Sequence, residues 1–184
     1  YYKFIDAGAT TMIARTPPPV REVYNPTGKY YALIIANYKY EHNDNWENLT
    51  SPKHDAREIK KVFENKYKIK TWLVENPTRN KIYEEFEKLK KIVTDNDYLL
   101  IYYTGHGATD IAKRAYWIPK EGTDKYFTWV DVKQLTNTLE YIKARDILLM
   151  IDSCYSGLSF KKGNKNASIT DDLSNNPKVI KIAS

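Results

Sequence analysis

The sequence predicts an α/β fold in which a mostly parallel sheet is covered by helices on both faces. Apolar runs typical of buried strands alternate with segments whose apolar residues recur at helical spacing. The chain has 184 residues and no internal repeat, and 42% of its residues are hydrophobic. These values suit one globular domain with a substantial core.

Five apolar runs are the predicted strands, since each is a short β-rich or apolar stretch bounded by polar or turn-forming residues. In chain order they are residues 31–36, 69–74, 98–103, 147–151 and 179–182. A shorter segment, residues 117–119, is predicted at an edge of the sheet. The chain ends at Ser184, directly after the last strand. An exposed strand edge favours pairing, so we expect a further carboxyl-terminal segment in the intact protein.

Three helices are predicted between these strands. Residues 54–66 form an amphipathic pattern, and the second helix follows Thr78, a favourable amino-terminal cap. Residues 128–131 resemble a capping box that opens the third helix. Residues 1–28 are rich in turn and proline signals, which indicates an extension or linker before a domain of residues 29–184.

Charge, hydropathy and cysteine content bear on the expected partners and location of the protein. The net charge is +6, from 29 basic and 23 acidic residues. Because the lysines lie beside glutamates in helical segments, and no nucleic-acid motif accompanies them, we expect a solvated surface and no nucleic-acid partner. No apolar run is long enough for a membrane span. A single cysteine fits a reducing compartment, so a cytoplasmic location is expected, although the chain begins at Tyr1 without a methionine.

Two glycine-bearing turns follow apolar strands, residues 104–107 and residues 152–157. The first contains His106 and the second contains Cys154, the only cysteine. Carboxyl ends of neighbouring parallel strands meet at one crevice. The sequence therefore predicts a thiol nucleophile with an imidazole base. The backbone N–H groups of Gly107 and Cys154 are candidate donors to an oxyanion, and a helix amino terminus near Cys154 would favour the thiolate.

Taken singly, a lone cysteine is more often a small buried residue, and a lone histidine is more often an ordinary polar residue on the surface. The shared strand-end position and the flanking glycines favour the catalytic interpretation for this pair. His42 and His54 lie in or beside a polar loop and are predicted to be surface residues. No metal-ligand spacing recurs, so we assign no metal site and no cofactor.

The two turns, with residues 31–36 and 54–56 upstream, resemble the caspase-like cysteine peptidases over most of residues 29–184. The Asp-Ser-Cys segment is more similar to the metacaspase and bacterial caspase-homologue branch than to the animal caspases. The resemblance implies a three-layer caspase-like fold, a p20-like catalytic region and a dyad of His106 as general base and Cys154 as nucleophile. Calcium activation, found in many metacaspases, stays open.

Asp152 and Asp55 are the candidate specificity residues. Asp152 lies two positions before the nucleophile, and the metacaspase pattern places Asp55 in the same pocket. Two carboxylates favour arginine or lysine before the scissile bond. Both also have plain structural explanations, as a strand-end turn former and a helix-start carboxylate. Lys161-Lys162 is either a self-cleavage site or an ordinary basic loop.

The expected partners are a protein or peptide substrate and a p10-like carboxyl-terminal segment or regulatory protein. A different class of function is a catalytically silent caspase-like scaffold that binds other proteins. Retention of both His106 and Cys154 favours the enzyme. A nucleotide-binding domain is disfavoured because the chain lacks a glycine-rich phosphate motif.

Overall fold

A computed structural model describes residues 27–153 and the backbone of residues 179–183. Its main element is a parallel sheet of five strands, which the sequence patterns predicted within one or two residues at each end. The strands are β1 (Tyr30–Ala36), β2 (Lys70–Glu75), β3 (Tyr98–Thr104), β7 (Asp146–Asp152) and β8 (Val179–Ala183). Their order across the sheet is β2-β1-β3-β7-β8. The short strands β4 to β6 belong to a second sheet, described below.

Helices cover both faces of the parallel sheet, as predicted. The helices are α1 (Ser51–Asn65), α2 (Arg79–Ile92) and α3 (Val132–Leu139). Helix α1 begins three residues earlier than predicted and has Pro52 in its first turn, a position where the missing N–H of proline costs nothing. The Thr78 hydroxyl accepts the Lys81 N–H at 3.1 Å and caps α2.

The two faces of the sheet are packed by alternating residues of the same strands. One face contributes to the main core beneath α2 and α3, where Leu33, Ile101 and Leu149 are almost fully buried. The opposite face packs against α1 through a smaller cluster that includes Ala56 and Tyr102. Burial on both faces explains why these strands are continuous apolar runs rather than alternating ones.

A three-stranded antiparallel sheet, which the sequence analysis did not predict, follows β3. It consists of β4 (Gly107–Thr109), β5 (Ala115–Trp117) and β6 (Val130–Asp131), in that order. The prediction of an edge segment at residues 117–119 was wrong, because β5 is the central strand of this second sheet. Strands of two or three residues are too short to produce a periodic signal.

The third helix was predicted to begin with a capping box at Thr128, but this assignment was wrong. Thr128 ends a short 3₁₀ turn, and its hydroxyl donates to the Lys125 carbonyl at 2.7 Å. Asp131 is the cap of α3 instead, since its carboxylate accepts the Gln134 N–H at 3.0 Å. The intervening Val130 is fully buried and paired with Trp117, so the chain stays extended until Asp131.

The strand register brings three chain segments to the same edge of the parallel sheet. Ala36, Thr104 and Asp152, the last residues of β1, β3 and β7, are direct neighbours across the strands. The turn that contains His106 and the residues that follow β7 therefore start side by side. Residues 1–26, Cys154 and Lys161-Lys162 lie outside the described residues, so the predictions for them stay predictions. No helix in the described ranges is both long and apolar enough to cross a membrane.

Candidate active site

His106 follows β3 directly and is half-buried between two aromatic rings. The Tyr40 ring lies 4.9 Å from the imidazole and the Trp46 ring lies 5.5 Å from it, measured between centroids. Trp46 is itself fixed, because its indole N–H donates to the Thr123 carbonyl at 2.9 Å. The imidazole is thus confined by packing to a small range of orientations.

Backbone hydrogen bonds fix the position of His106 from both sides. Its N–H donates to the Tyr40 hydroxyl at 2.9 Å, and that hydroxyl donates to the Asn37 carbonyl at 2.9 Å. Its carbonyl accepts the Tyr103 hydroxyl at 2.6 Å and the Ile118 N–H at 3.0 Å. Burial raises the pKa of Tyr40, so its hydroxyl stays protonated and keeps both bonds at neutral pH.

The imidazole also has a defined tautomer. Its Nε2 lies 2.9 Å from the carbonyl oxygen of Glu47. A carbonyl oxygen only accepts hydrogen bonds, so Nε2 has the hydrogen in that contact. In the neutral ring, Nδ1 is then the nitrogen with an available lone pair. The arrangement leaves Nδ1 as the atom able to accept a proton.

Gly105 makes the close approach of the loop before His106 to β1 feasible. Its φ is +153°, and a Cβ added there would lie 2.8 Å from the Asn37 carbonyl oxygen and 3.0 Å from the Tyr103 hydroxyl. Only glycine therefore fits without displacing Asn37. Asn37 is held firmly, because its N–H donates to the Thr104 carbonyl and its side-chain amide donates to the Ile118 carbonyl.

The N–H of Gly107 faces away from β5. Antiparallel pairs alternate between hydrogen-bonded and non-hydrogen-bonded pairs. The Ile118 N–H donates to the His106 carbonyl, and Gly107 is paired with Trp117. The Gly107–Trp117 pair is thus of the non-hydrogen-bonded kind, whose N–H groups point outward from the two strands. This orientation is the one that a donor to a substrate requires.

The two predicted specificity carboxylates, Asp152 and Asp55, both affect the hydroxyl of Tyr102. Tyr102 donates to Asp152 Oδ2 at 3.1 Å. Burial, the charge of Asp152 and, more weakly, the charge of Asp55 raise the pKa of Tyr102 to about 12. Asp55 extends from the first half of α1, and Asp152 ends β7. Asp152 thus forms a direct bond to the Tyr102 hydroxyl, and Asp55 acts on the same group only through its charge.

Arg57, two positions after Asp55 on α1, is paired with Glu75. Arg57 donates from Nε and from an Nη to the two oxygens of Glu75, at 3.0 and 3.1 Å. The Arg57 hydrogen bond lowers the pKa of Glu75 despite partial burial, and the Tyr38 hydroxyl adds to this effect. The bidentate pair keeps the Arg57 guanidinium on Glu75.

The structure also locates the other sequence-predicted residues. His42 and His54 are exposed, as expected of surface histidines. Cys154 lies outside the described residues, one position after Ser153. Sequence analysis missed Tyr40, Trp46 and the Glu47 carbonyl, because residues 37–50 were treated as a polar loop. Two large aromatic residues in such a loop were the available signal, since large aromatic side chains tend to be buried.

Comparisons with known proteins agree with the fold of this chain. The family model described as "Caspase domain" matches residues 29–181. Among solved structures, the chain is similar to the crystal structure of a protein from Geobacter sulfurreducens, with a TM-score of 0.58 and 20% identity. That match covers 70% of this chain and 52% of the Geobacter chain, so the present chain matches about half the length of that protein. The search of curated proteins found no match.

Proposed function

We propose that this chain, which belongs to the caspase-domain family of cysteine peptidases, cleaves peptide bonds after arginine or lysine with His106 and Cys154 as its dyad. The observation that supports this most directly is the fixed imidazole of His106. Its Nε2–H is held by the Glu47 carbonyl, so Nδ1 is the base. A backbone carbonyl takes the orienting role that a carboxylate has in a triad.

The proposed reaction begins with proton transfer from the Cys154 thiol to His106 Nδ1. The thiolate adds to the carbonyl carbon of the scissile bond, and the carbonyl oxygen becomes an oxyanion. The outward-facing N–H of Gly107 and the N–H of Cys154 are the proposed donors to that oxygen. When the C–N bond breaks, the amine takes the proton from His106.

A thioester between Cys154 and the acyl group remains. His106 then removes a proton from water, whose oxygen adds to the thioester carbonyl. Collapse of the second tetrahedral intermediate releases the carboxylic acid and restores the thiol with the proton from His106. No external oxidant, metal or nucleotide is needed for these steps.

The basic preference rests on Asp152 and Asp55. Asp152 accepts the Tyr102 hydroxyl at 3.1 Å at the end of β7, and the charge of Asp55 on α1 adds to the negative potential at that hydroxyl. A guanidinium or ammonium group complements this charge, whereas a substrate aspartate would be repelled. With such a preference, Lys161-Lys162 becomes a candidate site for self-processing.

The experiment measures hydrolysis of peptide reporters that end in arginine, lysine, aspartate or asparagine, with and without calcium. We expect cleavage after arginine and lysine only. Cys154→Ala and His106→Ala should each lose at least about a thousandfold in kcat/KM. His42→Ala is the matched control, because this exposed histidine lies outside the dyad and should keep full activity.

The outcomes separate the alternatives. Equal signals from the wild type and Cys154→Ala would refute the peptidase and leave a protein-binding scaffold. Preference for aspartate would refute the roles of Asp152 and Asp55. Self-processing is tested by incubating the wild type and Cys154→Ala and locating any cut by mass spectrometry. A cut after Lys161 or Lys162 only in the wild type is expected.

A further inference from the structure

We propose that Tyr102 is a specificity-positioning residue whose buried hydroxyl orients the Asp152 carboxylate toward the cationic group of a substrate arginine. This inference rests on the proposed function, because it concerns the pocket that would accept the residue before the scissile bond. It assigns a role to a strand residue that is not a member of the proposed dyad.

Burial restricts the movement of the Tyr102 side chain and therefore of its hydroxyl. It lies on β3 and is 5% exposed, in the cluster that packs against α1 beside Ala56 and Ala36. Backbone pairing with Met150 on β7 holds its Cα, and its side chain belongs to the apolar cluster that the sheet shares with α1. A rigid phenol with so little freedom can determine where a hydrogen-bonded partner lies.

The hydroxyl joins two neighbouring strands at the edge where the site is formed. It donates to Asp152 Oδ2 at 3.1 Å. Asp152 is an exposed residue at the last position of β7, and rotation about the side-chain bonds of an exposed residue is a source of conformational entropy. The bond to Tyr102 restricts that rotation, so less entropy is lost when a guanidinium binds. Bidentate pairing with arginine depends on such an orientation.

Tyr102 keeps its hydrogen throughout the pH range in which a peptidase works. Burial and the neighbouring carboxylates raise its pKa to about 12, so the hydroxyl remains a neutral donor. It orients the carboxylate without cancelling its charge. Asp55 supplies the second negative charge from α1, and Arg57, two positions along that helix, is paired with Glu75.

The test compares Tyr102→Phe with Tyr116→Phe. Tyr116 is a matched control because its hydroxyl also lies near an aspartate oxygen, Asp110 Oδ2 at 3.0 Å. For an arginine reporter, we expect Tyr102→Phe to raise KM about tenfold and to change kcat by less than twofold. Tyr116→Phe should change neither constant. A loss confined to kcat, or an equal effect of the two substitutions, would overturn the inference.

A double-mutant cycle distinguishes positioning from a general packing defect. If Tyr102 acts through Asp152, then Tyr102→Phe should raise KM no further in the Asp152→Asn background. Additive effects of the two substitutions on KM would contradict the inference. Thermal unfolding of each variant, measured beside the kinetics, should show that Tyr102→Phe remains folded at the assay temperature.

A binding measurement keeps the test independent of turnover. Benzamidine, an arginine-like cation, is titrated into the wild type and both tyrosine variants by calorimetry. We expect about tenfold weaker binding to Tyr102→Phe and unchanged binding to Tyr116→Phe. Equal affinities, or no binding to the wild type, would refute the role of Tyr102. If the wild type binds benzamidine but cleaves no reporter, the peptidase is refuted while the affinity ratio still decides the role of Tyr102.

Discussion

The Nε2 atom of His106 lies 2.9 Å from the carbonyl oxygen of Glu47, although 59 positions separate the two residues. The contact assigns the ring hydrogen to Nε2 and leaves Nδ1 as the nitrogen that can accept a proton in the proposed dyad. It also shows that a main-chain oxygen of residues 37–50 can orient the imidazole of the proposed general base.

Tyr40→Phe should lower kcat about tenfold with little change in KM. The substitution removes the acceptor of the His106 N–H and the donor to the Asn37 carbonyl. Because both groups are at least partly buried, we also expect a loss of about 1–3 kcal/mol in unfolding free energy. Kinetics with an arginine reporter and urea denaturation measure the two effects.

Tyr31→Phe is the control for this substitution. Tyr31 is buried near the opposite end of the sheet, where its ring stacks on Trp72 at 5.6 Å. The Tyr31→Phe substitution should leave kcat unchanged. If Tyr40→Phe also left kcat unchanged, the hydroxyl would not contribute to the position of the imidazole.

Asp152→Asn should reduce kcat/KM for an arginine reporter about a hundredfold, mainly through KM, and Asp55→Asn should have a smaller effect. The order follows from the structure, because Asp152 ends β7 and accepts the Tyr102 hydroxyl at 3.1 Å, whereas Asp55 extends from α1. Removal of one charge from a cation site typically costs several kcal/mol. Reporter kinetics over a range of concentrations give both constants.

Asp146→Asn is the matched control for these two acids. Asp146 begins the same strand that Asp152 ends, so it lies at the opposite edge of the sheet. The preference for arginine should survive this substitution. A larger effect of Asp55→Asn than of Asp152→Asn would contradict the proposed pocket.

Gly105→Ala should destabilise the fold by about 1–3 kcal/mol and abolish most activity. The residue has φ +153°, and the new Cβ would lie 2.8 Å from the Asn37 carbonyl oxygen. Relief of that contact requires movement of the turn that holds His106. Urea denaturation and reporter kinetics provide the measurement. An unchanged unfolding midpoint together with full activity would show that the turn has room for a side chain.

Asp97→Asn should destabilise the protein by about 2 kcal/mol at pH 7, and the difference should shrink in acid. Burial raises the pKa of Asp97, but hydrogen bonds from the Thr94 and Lys29 N–H groups and the Thr94 hydroxyl outweigh it and lower the pKa below 3.8. The stabilisation from this lowered pKa is therefore present above about pH 3.8 and is lost as the pH falls through the lower, folded value.

Unfolding free energies of the wild type and Asp97→Asn, measured from pH 7 to pH 3, check this dependence. Asp95→Asn is the control, because Asp95 is an exposed residue of the same turn and should alter stability by less than about 0.5 kcal/mol. A constant difference between the wild type and Asp97→Asn at all pH values would contradict the role of the Asp97 charge.

The elements that the sequence predicted well are those whose own residues determine them. The strands of the parallel sheet are recognisable because burial on both faces requires continuous apolar runs such as 98–103. The cap at Thr78 is local as well, since donor and acceptor are three residues apart. The third helix was assigned the wrong cap because Thr128 and Asp131 are both good capping residues. Pairing of β6 with β5 decided between them.

The sequence by itself determined the chain order of the parallel strands and the three helices, and the location of His106 and Asp152 at the ends of neighbouring strands. It also supplied the two glycines of the first turn and the acidic character of the predicted pocket. Each of these depends on residue type, local spacing or the register rule of parallel strands, which a single sequence contains.

Only the tertiary structure decided which nitrogen of His106 has the ring hydrogen and which hydroxyl donates to Asp152. These answers depend on contacts between residues 50 to 66 positions apart, namely the Glu47 carbonyl, the Tyr40 hydroxyl and the Tyr102 hydroxyl. Any carbonyl or any tyrosine of the chain is chemically able to form such a bond. The folding of residues 37–50 over the turn after β3, and the packing of α1 on Tyr102, select the ones that do.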